Sequence, residues 1–246
     1  MDRLLYISTV GAANIERAQA LHAHNLANVS TTGFRADLAR AESRWVEGDG
    51  HPARVYGVNE GERVDFSEGS RIATGRMLDV SVEGDGFLAV QLPDGSEAFT
   101  RDGALQLDSL GRLYSSKGMP VLGEGGPIAL PPFESIVIGG DGVITVQPEG
   151  QGPDTLVQVD RLKLVNPETD QISKTSHGLL QRADGLIEPP DPNVSVVSGF
   201  LETSNVNAVN EMTEILSLAR QFEIEVRMMQ TAQSNDEAAS QLLRVG

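Results

Sequence analysis

Apolar residues near the two ends of the chain recur at helical spacing, while those in the middle alternate with polar ones. Leu4, Ile7, Gly11, Asn14, Ala18, Leu21 and Asn25 follow one another three or four residues apart, and Leu5, Ala12, Ile15 and Leu26 widen the stripe. The spacing predicts a helix over roughly residues 3–28, about 37 Å long at about 1.5 Å per residue. It should stop near Asn28, because Val29-Ser30-Thr31-Thr32-Gly33 favours caps and extended chain over helix interior. From about Asn207 a second, stronger pattern begins: Met212, Ile215, Ala219, Phe222, Val226, Met229, Gln233, Asp236, Ser240 and Leu243. About 36 residues of helix would run about 54 Å, longer than a small domain is wide.

Between these ends Leu78-Asp79-Val80-Ser81-Val82 and Ala104-Leu105-Gln106-Leu107 alternate with period two and read as strands. Asp-Gly recurs at Asp85-Gly86, Asp94-Gly95, Asp102-Gly103, Asp141-Gly142 and Asp184-Gly185, with Leu110-Gly111 a further turn. Between alternating runs this dipeptide predicts type I′ hairpins, with positive φ at both central residues. Punctuation agrees: all 12 prolines lie between Pro52 and Pro192, and of 26 glycines only Gly11, Gly33, Gly199 and Gly246 lie outside residues 48–198. The reading is an α+β chain, mainly β. Long N- and C-terminal helices over 1–30 and 200–246 form a coiled-coil-like domain. An extended or β-hairpin connector covers 31–75, and a central all-β domain of barrel or sandwich type covers 76–199.

Polar residues at seam positions (Asn14, Asn25, Gln233, Asp236) mean that neither helix fully covers the other. Ordering their backbone costs about 1–2 kcal/mol per residue, more than one weak helix pair offsets. The ends therefore want additional partners; a long helical hairpin packed on the body is the alternative. The expectation is that they are largely disordered in the monomer and fold as the seam is buried.

Charge changes what those partners can be. The 246 residues carry 19 Lys and Arg against 35 Asp and Glu, a net charge of −16, which argues against nucleic acid. The absence of cysteine removes disulfides, thiolate metal sites and cysteine nucleophiles. No run approaches the roughly 18–20 apolar residues of a membrane span, so no membrane insertion is expected. Leu4 to Ile7 is also too short for a signal-peptide core.

Chemistry is sparse. His22 and His24 sit two apart on a helix, with rings about 200° apart, unlike a metal-binding i, i+4 pair. No nucleophile elbow and no phosphate-binding loop is present. Glu83, Asp85 and Asp79 could supply a carboxylate pair of the kind glycosidases use, but acids abutting glycine are more often turn formers. Gly139-Gly-Asp-Gly142 reads as a hairpin turn, and Asn28-Val29-Ser30 matches a glycosylation sequon that chance often produces. No catalytic, cofactor-binding or metal-binding residue is assigned.

Four longer motifs say more. The run Asn25-Leu26-Ala27-Asn28-Val29-Ser30-Thr31-Thr32-Gly33-Phe34-Arg35 resembles the N-terminal signature of bacterial flagellar rod and hook proteins. A second match runs from Phe66-Ser-Glu-Gly69 through Thr74-Gly75 and Leu78-Asp79-Val80 to Gly84-Asp85-Gly86-Phe87. A third is Phe99-Thr100-Arg101-Asp102-Gly103 with Gly111-Arg112-Leu113, and the fourth is Gly199-Phe-Leu-Glu-Thr-Ser-Asn-Val-Asn207 with Val209, Glu211-Met212, Arg220 and Phe222-Glu223. They keep the family's order across nearly the whole chain. The opening Met1-Asp2-Arg3-Leu4-Leu5-Tyr6 and the overall length look like the proximal-rod members, with distal-rod members the alternative. One departure is His24, where the family usually has a second Asn.

The resemblance implies a structural subunit of the axial drive shaft that transmits torque, not an enzyme, with no cofactor. It implies export through the flagellar type III apparatus without a cleaved signal, and assembly in the periplasmic basal body. The implied partners are proximal and distal rod subunits in a homo- and hetero-oligomeric helical assembly. Terminal helices would line an inner tube, and the β domain would face outward. The expected assembly interface is Leu4, Ile7, Leu21, Asn25, Leu26, Asn28, Gly33, Phe34, Met212, Ile215, Phe222, Val226 and Met229, with Gly33 supplying positive φ at an outward turn that Phe34 anchors. A secreted acidic β-domain enzyme acting on glycans is the rival from another class.

Overall fold

The computed structural model describes residues 2–45, 55–152, 155–175 and 177–244. Both helices lie where the periodicity puts them: α1 spans Asp2–Ala27 and α2 spans Ala208–Arg244. Asn207 caps α2, its side-chain oxygen accepting from the Val209 and Asn210 N–H groups at 3.0 and 3.2 Å. At the far end of α1, the Asn28 side chain donates to the His24 carbonyl at 2.9 Å, satisfying one of the open carbonyls of the last turn.

The chain forms two compact units. One contains residues 1–28, 37–65 and 206–246, and the other contains 29–36 and 66–205. The stretch 31–75, expected to be one connector, is therefore divided. Strands β1 (Asp37–Trp45) and β2 (Val55–Val64) make an antiparallel hairpin in the helical unit, with a bulge between Ala39 and Ala41. The tie is chemical: Asn25 of α1 bonds both backbone groups of Asp37. The Glu47 to Pro52 stretch lies outside the described residues.

The second unit is all antiparallel β. Strand β3 (Arg71–Ala73) pairs with Phe200–Glu202, and β4 (Val80–Glu83) pairs with Ser195–Ser198. Strands β5 (Phe87–Gln91) and β6 (Glu97–Thr100) lie inside a five-stranded sheet completed by Leu164–Val165, Leu180–Arg182 and Ile172–Lys174. A three-stranded sheet joins Phe133–Ile138, Val143–Pro148 and Val157–Arg161. Among the described residues these sheets do not close into a barrel, which corrects the barrel expectation. Strands of two to six residues, interrupted by turns, give this unit several small sheets in place of one continuous ring.

The core of this unit is aliphatic, as eleven aromatic residues in the chain require. Val80, Leu88, Val90, Leu105, Leu113, Ile128, Ile144 and Leu162 are almost fully buried, with Phe99 the largest side chain among them. The alternation at 78–82 does not leave one face wet, because Asp79 and Ser81 are buried as well. Asp79 is held by Arg76 at 3.1 Å.

The Asp-Gly turns form by a different mechanism from the one expected. Among the described residues only glycines have positive φ, so none of these turns is type I′. The aspartates act instead as side-chain acceptors: Asp94, Asp141 and Asp184 each take a backbone N–H two residues on, from Ser96, Val143 and Leu186. An Asx-turn needs positive φ only at the following glycine, as at Gly95, Gly142 and Gly185.

Candidate assembly interface

In the helical unit α1 and α2 run antiparallel. His22 Nδ1 lies 2.6 Å from a Glu211 carboxylate oxygen near one end of the pair, and Thr9 donates to the Met229 sulfur at 3.5 Å near the other. Gly11 marks a close approach, since a Cβ there would come within 3.1 Å of the Glu225 carboxyl. The helices thus pair with each other, as in the hairpin alternative, but the pairing is shallow. Ser8, Ala12 and Ala232 are buried, whereas Leu5, Tyr6 and Ile7 are exposed.

Helix α2 presents apolar residues on two sides. Ile215, Val226 and Met229 are half-buried on or beside the face that carries Glu211 and Glu225. On roughly the opposite side Val209, Met212, Leu216 and Ile224 are 69%, 52%, 62% and 56% exposed.

The expected interface residues therefore separate. Ile7, Met212 and Phe222 are exposed. Leu21, Leu26, Ile215, Val226 and Met229 are half-buried, and the Leu4 side chain lies outside the described residues. Asn25 is 1% exposed and works inside the chain: its amide donates to the Asp37 carbonyl at 2.9 Å, and its carbonyl accepts the Asp37 N–H at 2.9 Å. A carboxamide presents an N–H and a C=O side by side, so it pairs with both backbone groups of Asp37 as a neighbouring strand would. His24, the departure from the family pattern, lies 3.0 Å from the Asp37 carboxylate. Asn28 caps α1, as described above.

Gly33 and Phe34 belong to the β unit. Gly33 has φ 64°, and a Cβ there would come within 2.2 Å of the Arg101 carbonyl carbon, so both the backbone angle and the space call for glycine. Phe34 is buried, and the Lys174 ammonium sits 4.2 Å from its ring centroid.

The surrounding structure shows what the four motifs have in common. Glu202 from the fourth motif is buried between Arg35 of the first, at 2.8 Å, and Arg101 of the third, at 3.1 Å. Gly69 of the second donates its N–H to Glu202 at 2.9 Å, and the Gly33 N–H donates to the Glu202 carbonyl at 2.9 Å. A Cβ on Gly69 would fall 2.0 Å from the Thr203 carbonyl oxygen. Arg101 also donates to the Gly84 carbonyl at 2.5 Å and lies 5.2 Å from the Phe87 ring centroid, both in the second motif. Arg35 donates to the Ser67 carbonyl. Burial pushes the Arg35 guanidinium down from its ordinary pKa, Glu202 opposes that, and Arg101 adds to it. Sequence reasoning did not single out Arg35, Arg101 or Glu202. The available signal was that two basic residues of a strongly acidic chain sit inside glycine- and aromatic-rich motifs.

The acids considered for catalysis are otherwise engaged. Glu83 pairs with Arg71 at 2.8 Å and Asp79 with Arg76, while Asp85 is exposed in the turn.

Comparison with known proteins fits this architecture. Residues 81–146 match the family described as flagellar hook protein FlgE/F/G D1 domain, and residues 197–242 match the flagellar basal body rod FlgEFG protein C-terminal family. The chain is 39% identical over 249 residues to flagellar basal-body rod protein FlgF of Escherichia coli K12, covering 99% of each chain. It is 37% identical to the FlgF of Salmonella typhimurium, again over 99% of each. A flagellar basal-body rod protein FlgG, from Buchnera aphidicola of Schizaphis graminum, is 30% identical over 97% of this chain and 98% of its own. The chain belongs to the flagellar basal-body rod protein family, on its FlgF side.

Proposed function

We propose that this structural, non-catalytic rod subunit occupies the proximal rod and polymerises head-to-tail through its terminal helices, forming part of the shaft that carries torque. The observation that carries the reading is the second apolar side of α2: Val209, Met212, Leu216 and Ile224 remain exposed after α1 has taken its place. Each large side chain of this kind contributes about 1.5–3 kcal/mol once fully buried. A tube or shaft requires a heterologous contact, in which one patch meets a different one on the next copy. The exposed side of α2 supplies one such patch, and Leu5 and Ile7, exposed on α1, supply an unlike one.

The proposed partners are further copies of this chain and the proximal and distal rod subunits, reached by way of the flagellar export apparatus, in the periplasmic basal body. In this reading the helical ends gain most of their order as neighbours cover them. Circular dichroism of the isolated full-length chain, alone and mixed with other rod subunits, tests it. Helix content should rise on mixing; full content from the outset, unchanged by partners, would contradict coupled folding. Replacing Met212 and Leu216 with serine should abolish incorporation into basal bodies while the β unit stays folded.

A further inference from the structure

The seam of the helical unit holds a carboxylate that nothing answers. Glu225 is half-buried there, with its carboxyl group against Gly11 of α1. Among the described residues no hydrogen bond or ion pair reaches it. Two exposed apolar side chains rim the spot: Ile7, one turn before Gly11 on α1, is 47% exposed, and Met228, one turn after Glu225 on α2, is 39% exposed. A surface that covers this rim also takes the Glu225 carboxylate out of water. A carboxylate buried without a partner is costly, so the covering surface must bring a cation. The helices carry three arginines whose side chains are described, Arg17, Arg220 and Arg227, all exposed and none ion-paired. The two on α2 cannot turn to Glu225 of their own chain: Arg227 is two residues from it and Arg220 five, about 200° and 140° round the helix.

Position separates the three. Arg17 belongs to α1, away from the exposed apolar side of α2. Glu223 lies one turn from both of the others and can answer one of them; a glutamate four residues before its partner is the better order, which favours Arg227. Arg220 is left, one turn after Leu216 and one turn before Ile224, on the exposed apolar side of α2. We propose that Arg220 of one copy pairs with Glu225 of the next as that side of α2 settles on the rim formed by Ile7 and Met228, and that this pair sets the register between copies. The inference rests on the polymerisation proposed above and adds which face meets which. Leu216 and Ile224 flank the cation as Ile7 and Met228 flank the carboxylate, so charge and apolar area match together. Because Arg220 and Glu225 point to different sides of α2, each copy offers its cation to one neighbour and its carboxylate to another, the heterologous arrangement that a shaft needs.

The test uses the full-length chain as the sole copy in the cell and counts the copies recovered in purified basal bodies. Arg220→Glu and Glu225→Arg each set like charges together and should each lower that number at least about tenfold, while the two substitutions in one chain should restore it to within about twofold. The chain has no cysteine, so the contact can also be read directly. Arg220→Cys in one tagged copy and Glu225→Cys in a differently tagged one should be joined in basal bodies by a short bismaleimide, giving a species that carries both tags. Single substitutions that are incorporated like the wild type overturn the proposal, and so does a double substitution that fails to restore incorporation. Absence of the doubly tagged species from basal bodies that contain both copies overturns it as well. A wild-type chain missing from basal bodies would instead sink the rod reading itself, so the two failures are distinguishable.

Discussion

In the β unit the large apolar side chains lose almost all contact with solvent: Leu88, Phe99, Leu105, Leu113 and Ile128 are at or below 1% exposed. On the two helices only Ala12 and Ala232 reach the buried class among apolar residues described, and both are small. The β unit buries its large apolar side chains, whereas the helical unit leaves Met212, Leu216 and Ile224 exposed. The same division runs through the polar groups. Arg35, Arg101 and Glu202 pair their charges inside the β unit, while the polar contacts described between the helices include His22–Glu211 and a weak Thr9–Met229 bond.

The sharpest way to break this comparison is to cut the ionic cluster. Glu202→Ala strands two buried guanidinium groups, and removing one partner of such a pair costs about 3–5 kcal/mol. Denaturant unfolding of the β unit should show that loss; a midpoint within error of the wild type would mean the cluster is not what joins the motifs. Leu105→Ala comes next, at about 2–5 kcal/mol for a large-to-small change in a packed core. The matched change on the helical side, Leu216→Ala, should stay within about 0.5 kcal/mol in the isolated chain, as for exposed positions generally. If the two alanine substitutions cost the same, the units do not differ in the way described. Asn25→Ala falls between them, at about 1–3 kcal/mol, because it leaves the Asp37 backbone without its partner. Hydrogen exchange of the Asp37 amide reads this directly and should speed up while the β unit is unaffected.

The smallest effect concerns pH. Hydrogen bonds from Arg182, then from the Leu186 amide, hold the exposed Asp184 carboxyl down at about 2. Its folded pKa lies below the ordinary carboxylate value, so its contribution is present above that value and fades as pH falls toward about 2. An NMR titration of Asp184 should show a midpoint near 2, with no accompanying unfolding of the core. A midpoint in the ordinary carboxylate range would show that the Arg182 contact does not persist in solution.

Position along the chain settled the secondary structure to within a residue or two at the helix ends, because a three-four spacing and a cap such as Asn207 act locally. Turn residues were equally legible as turns. Their type was not, since Asp in an Asx-turn and Asp in a type I′ turn differ only in a backbone angle that neighbouring contacts select. Periodicity also named the apolar residues of α2 without saying which side α1 would occupy, and so placed Met212 on the same seam as Met229. The motifs identified the family, yet read one by one they did not reveal a common purpose. Arg35, Gly69, Arg101 and Glu202 meet only after residues far apart in the chain are folded together, and a contact of that range leaves no spacing in the sequence. What local physics decides is therefore written along the chain, whereas a charge pair, a covered helix face or the closure of a sheet depends on which distant segment arrives beside it, and only the folded structure specifies that.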